Sequence, residues 1–502
     1  MKAGRKISKL TKVPIFKNNI LLELYHKFLK KGIIKENRAL ARLLTVRKIR
    51  SLSGVAIITL ATKPFPCPGK CLYCPSQKEM PKSYLNNEPA IMRAMRNEFD
   101  PFRQVQERIE TLERNGHNAD KLEIIVIGGT WSFLPKSYQT WFIKRIFEAC
   151  NYKRSVTLKE AHDKNEKTQH RIIGLTIETR PDYIDEKEII RLRKLGVTRV
   201  ELGVQSLYND ILNLNKRGHL IERTTKATKL LKDAGFKICY HMMPNLPGSN
   251  FKRDIQMFKD LFNNENFKPD MLKVYPCVVL AEAPLYKLYL QKKYAPYTTK
   301  QLIKLLKEVL MSVPYYCRVQ RVIRDIPEQS IAAGSKVSNL KQYVEEELKK
   351  DNLVPKDIRT REIKDNYNPK EKLFLFKDTY KASDGDEIFL SFENKDRTKL
   401  YSMLRLRIPS QSLNKKKFFI KTLENSALIR EVHTYGQMVP IDKKQIAPQH
   451  MGLGKKLLIE AEKIAKEKYH LNKISVISGI GVREYYKKSG YKLENTYMVK
   501  HL

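Results

Sequence analysis

Three of the seven cysteines in this chain of 502 residues fall within eight positions. They are Cys67, Cys71 and Cys74, in the segment CPGKCLYCPS, and their spacing is C-x3-C-x2-C. Three thiolates on one loop can ligate three irons of a 4Fe–4S cluster, which leaves the fourth iron open for another ligand. The spacing therefore favours an iron–sulfur site with one free coordination position.

An open iron is what a radical S-adenosylmethionine (SAM) enzyme requires. There it chelates the methionine amine and carboxylate, and an electron passed to the sulfonium releases a 5′-deoxyadenosyl radical. The alternative is a zinc site made of three thiolates and one histidine. Zinc loops more often contain two C-x2-C pairs, and the sequence has no second pair, so we favour the cluster and radical chemistry.

The segments around the cysteines predict a barrel of parallel strands. Short apolar runs rich in β-branched residues alternate with amphipathic helical segments, a pattern typical of strands buried on both faces. Six such β-α units predict an α/β fold with a partial parallel (β/α)6 barrel, and an open doubly wound sheet is the competing arrangement. The predicted strands are 55–62, 122–129, 171–179, 199–205, 237–243 and 271–277.

Glycines and polar residues end several predicted strands, where barrel folds keep their chemistry. The cysteine loop follows the first strand, and Gly128 and Gly129 end the second, where a bare backbone can approach the methionine amine. Glu178 ends the third strand, and Glu201 and Gln205 lie in the fourth. A glycine pair often only makes a turn, but polar residues at one barrel end are hard to explain as core. We predict that these five residues bind the cofactor.

The chain divides into four predicted parts. They are a basic segment (1–50), the barrel (51–318), a polar connector with few apolar residues and little periodicity (319–370), and a separate α+β domain (371–502).

In the α+β domain, the segment QHMGLGKKLL opens a helix with closely spaced glycines. Gln449, Gly452 and Gly454 carry this pattern, which exposes backbone N–H groups at the positive helix end and suits a pyrophosphate. A G-x-G before a helix is otherwise often only a turn. Tyr485 and Tyr486 follow later, and we expect one of them in the core and the other at a bound ligand.

The composition is strongly basic. Lysine and arginine total 96 against 54 acidic residues, a formal net charge of +42. Such an excess attracts polyanions, most often a nucleic acid, although a lysine-rich proteome also produces it. Nearly acid-free basic stretches lie within residues 1–50, so we predict that this segment binds nucleic-acid phosphates. We see no membrane span or secretory signal, and the scattered, odd-numbered cysteines favour a reducing cytoplasmic location.

The last domain resembles the Gcn5-related N-acetyltransferase (GNAT) fold, which binds acetyl-coenzyme A. The strand EVHTYG, the glycine loop, its helix and ISGIGVREYYKKSGY follow in the order of that fold. With the cysteine loop, the segments NEPAIMRAMRNEFDPF, RVIRDIP, IRTRE and LRLRIPS make the chain resemble the Elp3 family, the catalytic subunits of Elongator and their standalone relatives in archaea and bacteria. The resemblance covers about Lys48 to Leu502.

The resemblance implies an activity, its cofactors and a set of contacts. Family members modify the wobble uridine (position 34) of tRNA at C5, using acetyl-coenzyme A and SAM to give carboxymethyluridine. The cluster ligands would be the three cysteines, and the catalytic side chains Tyr485, Tyr486 and Lys121. The acetyl-coenzyme A contacts would be Lys121, Glu431, Val432, His433, Thr434, Leu453, Gly454, Lys455 and Tyr486. Because Lys121 lies in the barrel half, the two domains would share one cleft; without the family, it would be a solvated lysine.

One position departs from the family pattern. Many relatives hold a zinc ion in the connector with cysteines, one of them just before the segment that here reads IRTRE. That position is Lys356 in this chain, and no Cys or His lies between Cys317 and His433. We therefore predict no structural zinc and a connector held by packing and ion pairs.

The implied mechanism starts with hydrogen abstraction from the acetyl methyl group. The carbon radical adds to C5 of the uracil ring, and hydrolysis of the thioester leaves a carboxymethyl group. The expected partners are the tRNA anticodon loop and an electron-donor protein, with the chain standing alone or as a homo-oligomer. The alternatives are a protein lysine acetyltransferase with a structural cluster and a non-catalytic tRNA-binding protein. Radical methylthiotransferases usually carry a second cysteine trio, which is absent here.

Overall fold

The first half of the chain forms a sheet of parallel strands. The computed structural model describes residues 16–46, 54–337, 339–364, 368, 370–436 and 452–502. The strands of this half are β1 (Ala56–Ala61), β2 (Lys121–Ile127), β3 (Arg171–Thr179), β4 (Arg199–Gln205), β5 (Lys237–Met242), β6 (Met271–Val274), β7 (Val279–Leu280), β8 (Arg318–Arg321) and β9 (Ile331–Ala333).

Seven of these strands lie side by side in the order β1-β2-β3-β4-β5-β6-β8, and every neighbouring pair is parallel. The order follows the chain without the reversal that marks a doubly wound sheet. The predicted partial barrel is therefore confirmed, with a seventh strand added. β7 and β9 form a separate antiparallel pair.

Helices cover the outside of this sheet and recur in the rest of the chain. The α-helices are Asn18–Lys30, Arg38–Leu44, Pro89–Arg96, Pro101–Arg114, Lys136–Asn151, Leu158–Asn165, Glu186–Lys194, Asn209–Leu214, Ile221–Asp233, Phe251–Asn263, Leu285–Leu290, Thr299–Ser312, Leu340–Lys350, Ile358–Arg361, Ser410–Leu413, Leu453–Lys463 and Arg483–Lys487. Among the described residues, none of these helices is long and apolar enough to cross a membrane.

The helix Glu186–Lys194 shows how the sequence sets the limits of these elements. The Asp185 carboxylate accepts the Glu188 backbone N–H at 2.8 Å and so caps the first turn. Gly196 follows the helix with φ +89°, a left-handed conformation that costs glycine little. Ile189 and Leu192 are fully buried in the core around the sheet.

The predicted connector is largely ordered and packed. It begins inside β8, and it contains the helices Leu340–Lys350 and Ile358–Arg361. Leu340, Val344 and Leu348, four residues apart, are buried in the main core. Their spacing is helical, but the many charged residues around them favour the interpretation of the segment as a connector with little periodicity. The limits of the four predicted parts stay a prediction.

The C-terminal part forms a second, mixed sheet. Its strands are β10 (Phe374–Ala382), β11 (Gly385–Glu393), β12 (Leu400–Ile408), β13 (Ala427–Thr434), β14 (Lys473–Val476), β15 (Lys492–Glu494) and β16 (Tyr497–His501). They lie in the order β10-β11-β12-β13-β14-β16-β15, antiparallel except for the parallel pair β13-β14. The helix Leu453–Lys463 buries Leu457, Leu458 and Ala461 against this sheet.

Buried ion pairs join the second sheet to the amino ends of the barrel strands. Arg430 on β13 contacts Asp270, just before β6, at 2.5 Å, and it contacts Glu387 on β11 at 3.0 Å. Arg407 on β12 contacts Asp233 at 2.5 Å, at the end of the helix that precedes β5. All five side chains are at most 3% exposed. The second domain therefore packs on the face of the barrel opposite the cysteine loop.

The described part of the N-terminal segment is a pair of helices attached to the barrel. Leu22, Tyr25 and Leu44 form a small core between the two helices. The backbone N–H of Val46 donates to the carbonyl of Asn115 at 3.0 Å, which ties this pair to the turn before β2. Residues 1–15 and 47–50 of the predicted nucleic-acid-binding region lie outside the described residues.

Candidate active site

The loop that follows β1 carries the three cysteines. All three are free thiols; Cys71 is buried, and Cys67 and Cys74 are half-buried. The backbone N–H of Gly69 donates to Cys67 Sγ at 3.5 Å, and Thr130 Oγ1 lies 3.7 Å from the same sulfur. The carbonyl of Asn215 accepts the Leu72 backbone N–H, which anchors the middle of the loop.

Burial and nearby charges shift the pKa values of Cys71 and Cys74 in opposite directions. Burial alone would raise the pKa of the Cys71 thiol, but Arg217, together with Tyr73 and Arg180, outweighs burial, so the pKa lies below its ordinary value. Burial, with the neighbouring Cys71, raises the pKa of Cys74 to about 11. Free thiols on one loop beside a buried guanidinium fit an anionic iron–sulfur group, in which every ligand is a thiolate.

The cysteines open into a cavity of about 660 Å³ inside the barrel. Its wall runs from the cysteine loop to Arg199 and Arg318, which are the first residues of β4 and β8. The cavity therefore spans the length of the barrel strands. Among the described residues, its lining includes none beyond Arg359, so the second domain contributes no wall.

The residues predicted at the strand ends surround this cavity. Gly129, Glu178, Glu201 and Gln205 line it. Glu178 accepts a hydrogen bond from the Tyr84 hydroxyl at 2.7 Å, and burial raises the pKa of that tyrosine. Gln205 has a left-handed backbone with φ +72°, which turns the chain at the end of β4.

Gly128 serves packing at the edge of the cavity. A Cβ added there would lie 2.1 Å from Thr62 Oγ1, and its φ of +133° also favours glycine. Gly128 therefore lets β2 approach the end of β1, while Gly129 presents bare backbone to the cavity. The cofactor-binding role of the five predicted residues stays a prediction.

Glu201 lies at the centre of a buried charge network. Its carboxylate contacts Lys273 Nζ, and it lies 2.8 Å from His241 Nε2 and 3.6 Å from Arg199 Nη2. Burial alone would raise the pKa of Glu201, but Lys273 and His241 hold it well below its usual range. Cys239 lies close enough to join Glu201 and His241 in holding a metal ion. Lys273 and Arg199 already neutralise the carboxylate, so an ion-pair network suits the position better.

Sequence reasoning missed most of the cavity's cations. Arg324 reaches from beyond β8 to the cysteine side, where it contacts Glu88 at 2.8 Å and the Ser83 carbonyl. The predicted connector therefore helps to form the site. The further cations of the lining are Lys82, Arg93, Arg108, Arg180, Arg199, Arg217, Lys273, Arg318, Arg321 and Arg359. Arg93, Arg321 and Arg359 lie in segments that carry the family resemblance, but nothing in those segments places them at a cavity, and the other cations are scattered along the chain.

A second group of predicted residues meets where the helix Leu453–Lys463 begins. Gly452 caps this helix with φ +68°. A Cβ added at Gly454 would lie 3.1 Å from the Tyr485 hydroxyl, 3.6 Å from Thr434 Oγ1 and 3.7 Å from Val432 Cγ1. The glycine loop, the end of β13 and Tyr485 thus come together at a helix N-terminus, a site suited to a phosphate group.

The remaining predicted contacts around the second sheet have different surroundings. Leu453 is buried and Lys455 is exposed, while Gln449 lies outside the described residues. His433 stacks on Tyr435 with 4.2 Å between ring centroids. Glu431 is paired with Lys237 at 3.0 Å and Arg405 at 2.9 Å. Although burial alone would raise the pKa of Glu431, these two cations lower it to about 2.

The two tyrosines occupy different environments. Tyr486 is 7% exposed and belongs to the core of the second sheet, whereas Tyr485 is 43% exposed. Burial raises the pKa of both hydroxyls, so both are protonated at neutral pH. The geometry thus distinguishes Tyr485 as the residue at the glycine loop and Tyr486 as the packing residue. The catalytic role of either stays a prediction.

Lys121 lies at the amino end of β2, away from the cysteines. It pairs in register with Arg171, and a Cβ added at Gly481 of the second domain would lie 2.6 Å from Arg171 Cβ. Burial lowers the pKa of the Lys121 ammonium. The described residues thus show no single cleft that holds Lys121, the cysteines and the glycine loop. Lys121 and the glycine loop lie at one end of the barrel, and the cysteines lie at the other. A role of Lys121 in binding or catalysis stays a prediction.

Ion pairs and aromatic contacts hold the connector around Lys356. Lys356 Nζ lies 5.5 Å from the Tyr315 ring centroid, and Arg361 and Arg397 lie against the same ring. Arg361 also contacts Glu393 on β11 at 2.6 Å. The Tyr315 ring thus contacts three cationic side chains from the connector and the second sheet.

Comparison with protein families identifies the barrel. Residues 66–261 match the radical SAM superfamily, and residues 269–350 match the radical SAM C-terminal domain. The second match extends through the helix Leu340–Lys350, so much of the predicted connector lies within the part that matches this C-terminal domain.

Comparison with individual proteins covers nearly the whole chain. The tRNA uridine(34) acetyltransferase of Methanocaldococcus infernus is 44% identical over 490 residues, which are 95% of this chain and 91% of the relative. Elongator complex protein 3 of Homo sapiens is 38% identical over 476 residues, 91% of this chain and 86% of the relative. The solved archaeal M. infernus Elp3 with an N-terminal deletion (1–46) superposes with a TM-score of 0.79 at 42% identity, covering 90% of this chain and 100% of that one. The chain belongs to the Elp3 family.

Proposed function

We propose that this protein is an acyltransferase that modifies the wobble uridine of tRNA, adding a carboxymethyl group at C5 with SAM and acetyl-coenzyme A as co-substrates. The observation that carries the proposal is the cavity that joins the three-cysteine loop to the floor beside the acetyltransferase-like sheet. Family membership over nearly the full chain supports it.

In this proposal, Cys67, Cys71 and Cys74 hold a 4Fe–4S cluster inside the mouth of the barrel. The cluster with bound SAM supplies a carbon-centred radical able to abstract hydrogen. Glu178 and Gln205 border the space next to the cysteine loop and would orient the methionine part of SAM. The bare backbone of Gly129 leaves room for its amine.

The cavity wall suits an RNA base and its phosphates. Arg93, Arg108, Arg321 and Arg324 all line the cavity, so a flipped nucleotide would meet several cations there. A uridine in a single-stranded anticodon loop enters at low unstacking cost. The formal net charge of +42 supports binding of the remaining tRNA backbone, and affinity should fall steeply with added salt.

At the other end, Tyr485 and the glycine loop would receive acetyl-coenzyme A. The N–H groups at the start of the helix Leu453–Lys463 would bind its pyrophosphate. The Tyr485 hydroxyl, close to Gly454 and Thr434, would face the thioester. An electron donor is required for the radical step, and the cysteine loop is where it must deliver its electron.

The test is mass spectrometry of nucleosides from tRNA incubated without oxygen with the reconstituted protein, SAM, a reductant and acetyl-coenzyme A labelled in the methyl carbon. We expect a uridine mass gain that contains the label. Cys71→Ala should abolish it, whereas Cys150→Ala, a buried cysteine in the helix Lys136–Asn151, should keep it. A loaded wild-type protein that yields no labelled uridine would refute the proposal. Acetylated lysines formed equally by Cys71→Ala would support the protein acetyltransferase instead.

A further inference from the structure

Arg217 is a buried side chain that touches the cysteine loop directly. Its Nη1 donates to Cys71 Sγ at 3.5 Å, and its Nη2 donates to the carbonyl of Gly203 on β4. The residue is 6% exposed. The contact with Gly203 fixes the guanidinium between the barrel wall and the sulfur, so its charge is held at a set place beside the loop.

The charge of Arg217 has no carboxylate partner in ion-pair contact among the residues that the structure describes. Arg180, at the same loop, differs in this respect, because Asp182 binds it through two contacts of 2.9 Å. Arg217 Nε also lacks a hydrogen-bond partner within the described structure. A buried charge without a counter-ion is costly, so the position is built for an anion that the protein itself does not supply.

A 4Fe–4S cluster held by three thiolates is such an anion. Its net charge is negative, and one-electron reduction adds a further negative charge while no bond is formed or broken. A fixed cation at a ligating sulfur stabilises the reduced form more than the oxidised form. Here that cation would be Arg217, acting through the Cys71 sulfur.

We propose that Arg217 is a positioning residue that serves as the counter-ion of the cluster and raises its midpoint potential, so that an external one-electron donor reduces it more easily. The inference rests on the proposed function only in requiring that the cluster binds. It concerns this chain's own guanidinium and makes no demand on the identity of the RNA or the acyl donor.

Gly203 supplies an independent way to move this charge. A Cβ added at Gly203 would lie 2.8 Å from Arg217 Nη2 and 3.1 Å from Gln205 Nε2. Gly203→Ala should therefore push the guanidinium away from its present position while it keeps the arginine in the chain. Gly203→Ala and a substitution of Arg217 itself should both lower the midpoint potential, but only the second removes the guanidinium.

The experiment is a redox titration of the reconstituted protein without SAM, with dithionite as the electron source and the reduced cluster followed by EPR. At the potential that half-reduces the wild type, we expect the ratio of reduced to oxidised cluster to fall roughly tenfold in Arg217→Gln. Arg217→Lys, which keeps the charge, should shift less. Arg253→Gln removes a surface arginine paired with Asp210 at 2.8 Å and should match the wild type.

The outcomes separate this inference from the proposed function. A wild type that never forms the cluster contradicts the proposed function. A loaded Arg217→Gln variant with the wild-type midpoint overturns the inference, even where it binds SAM more weakly. If Arg217→Gln takes up no iron, Gly203→Ala decides: a lowered midpoint supports the inference, and an unchanged midpoint overturns it.

Discussion

Tyr485 and Tyr486 are neighbours in the chain but face different surroundings. The hydroxyl of Tyr485 lies over Gly454 at the start of a helix, and Tyr486 packs edge-on against Tyr491 in the second core, 5.9 Å between centroids. Both residues lie in the short helix Arg483–Lys487, and their rings meet edge to face with 5.2 Å between centroids. Only Tyr485 is therefore placed to meet a ligand of the glycine loop.

We predict that Tyr485→Phe slows RNA-dependent turnover of acetyl-coenzyme A at least roughly tenfold and leaves the melting temperature unchanged, because it removes a positioned hydroxyl group. Tyr486→Leu should instead lower stability by about 2–4 kcal/mol, because it leaves a cavity in a packed core. Thioester release and thermal unfolding measure the two effects. Full turnover in Tyr485→Phe would show that its hydroxyl does not act.

The residues of the site differ in how well their sequence reveals them. The cysteine trio is a motif because one loop supplies all three ligands, and the glycine loop is readable for the same reason. Arg217 comes from a short turn after the helix Asn209–Leu214, where an arginine usually faces solvent. Its burial beside Cys71 depends on a contact 146 positions apart along the chain, which no local pattern records.

Among the elements, the segment after β8 and the cysteine loop act as a pair. Arg324 spans them by contacting Ser83 and Glu88, and it is held over the Tyr84 ring at 4.6 Å. Burial alone would lower the pKa of this guanidinium, but Glu88 and Tyr84 keep it above its usual range. The segment beyond the barrel therefore steadies the loop that carries the three cysteines.

We expect Arg324→Gln to lower the iron content after anaerobic reconstitution to below half of the wild-type value, because the cysteine loop loses its anchor. Iron and sulfide analysis measures this. Arg321→Gln is the control: it lines the same cavity but pairs with Asp325 at the surface at 3.0 Å. Arg321→Gln should keep the wild-type iron content. It should also lower, by about one, the number of phosphate contacts deduced from the salt dependence of tRNA binding. Normal iron in Arg324→Gln would contradict this role.

The limits of apolar strands could be predicted from the sequence, whereas those of polar strands could not. β3 and β4 have the limits predicted from their sequences, 171–179 and 199–205. β8 escaped prediction because RVQR has two arginines and a glutamine among four residues, which face the cavity or the connector instead of a core. Arg318, Gln320 and Arg321 of this strand line the charged cavity, which accounts for its polarity.

At the scale of the whole molecule, buried charges lie beside the apolar core that the two domains share. Asp270 forms ion pairs with Arg430, Arg405 and Lys232, and it also accepts a hydrogen bond from the Ile238 backbone N–H at 2.8 Å. Burial alone would raise the pKa of Asp270, but Arg430 and Lys232 hold it below its usual range. In the sequence such residues look like surface charges, so this interface could not be predicted.

We predict that Asp270→Ala lowers the free energy of unfolding by about 3–5 kcal/mol, because it leaves buried cations without a partner. Denaturant unfolding of the cluster-free protein measures the change. Asp210→Ala, which breaks an exposed pair with Arg253, should cost at most about 1 kcal/mol. Equal effects of the two substitutions would show that the interface charges do not hold the domains together.

The length of the barrel strands separates the cysteine loop from the end of the barrel that faces the second domain. At about 3.3 Å per residue, the seven residues of β4 set the Arg199 end roughly 20 Å from the Gln205 end. The buried pairs of Arg430 with Asp270 and of Arg407 with Asp233 hold the second domain at the Arg199 end. In the proposed reaction, an acetyl group bound at Gly454 would have to cross this distance to reach the cysteine loop, so turnover should depend on the size of the acyl group.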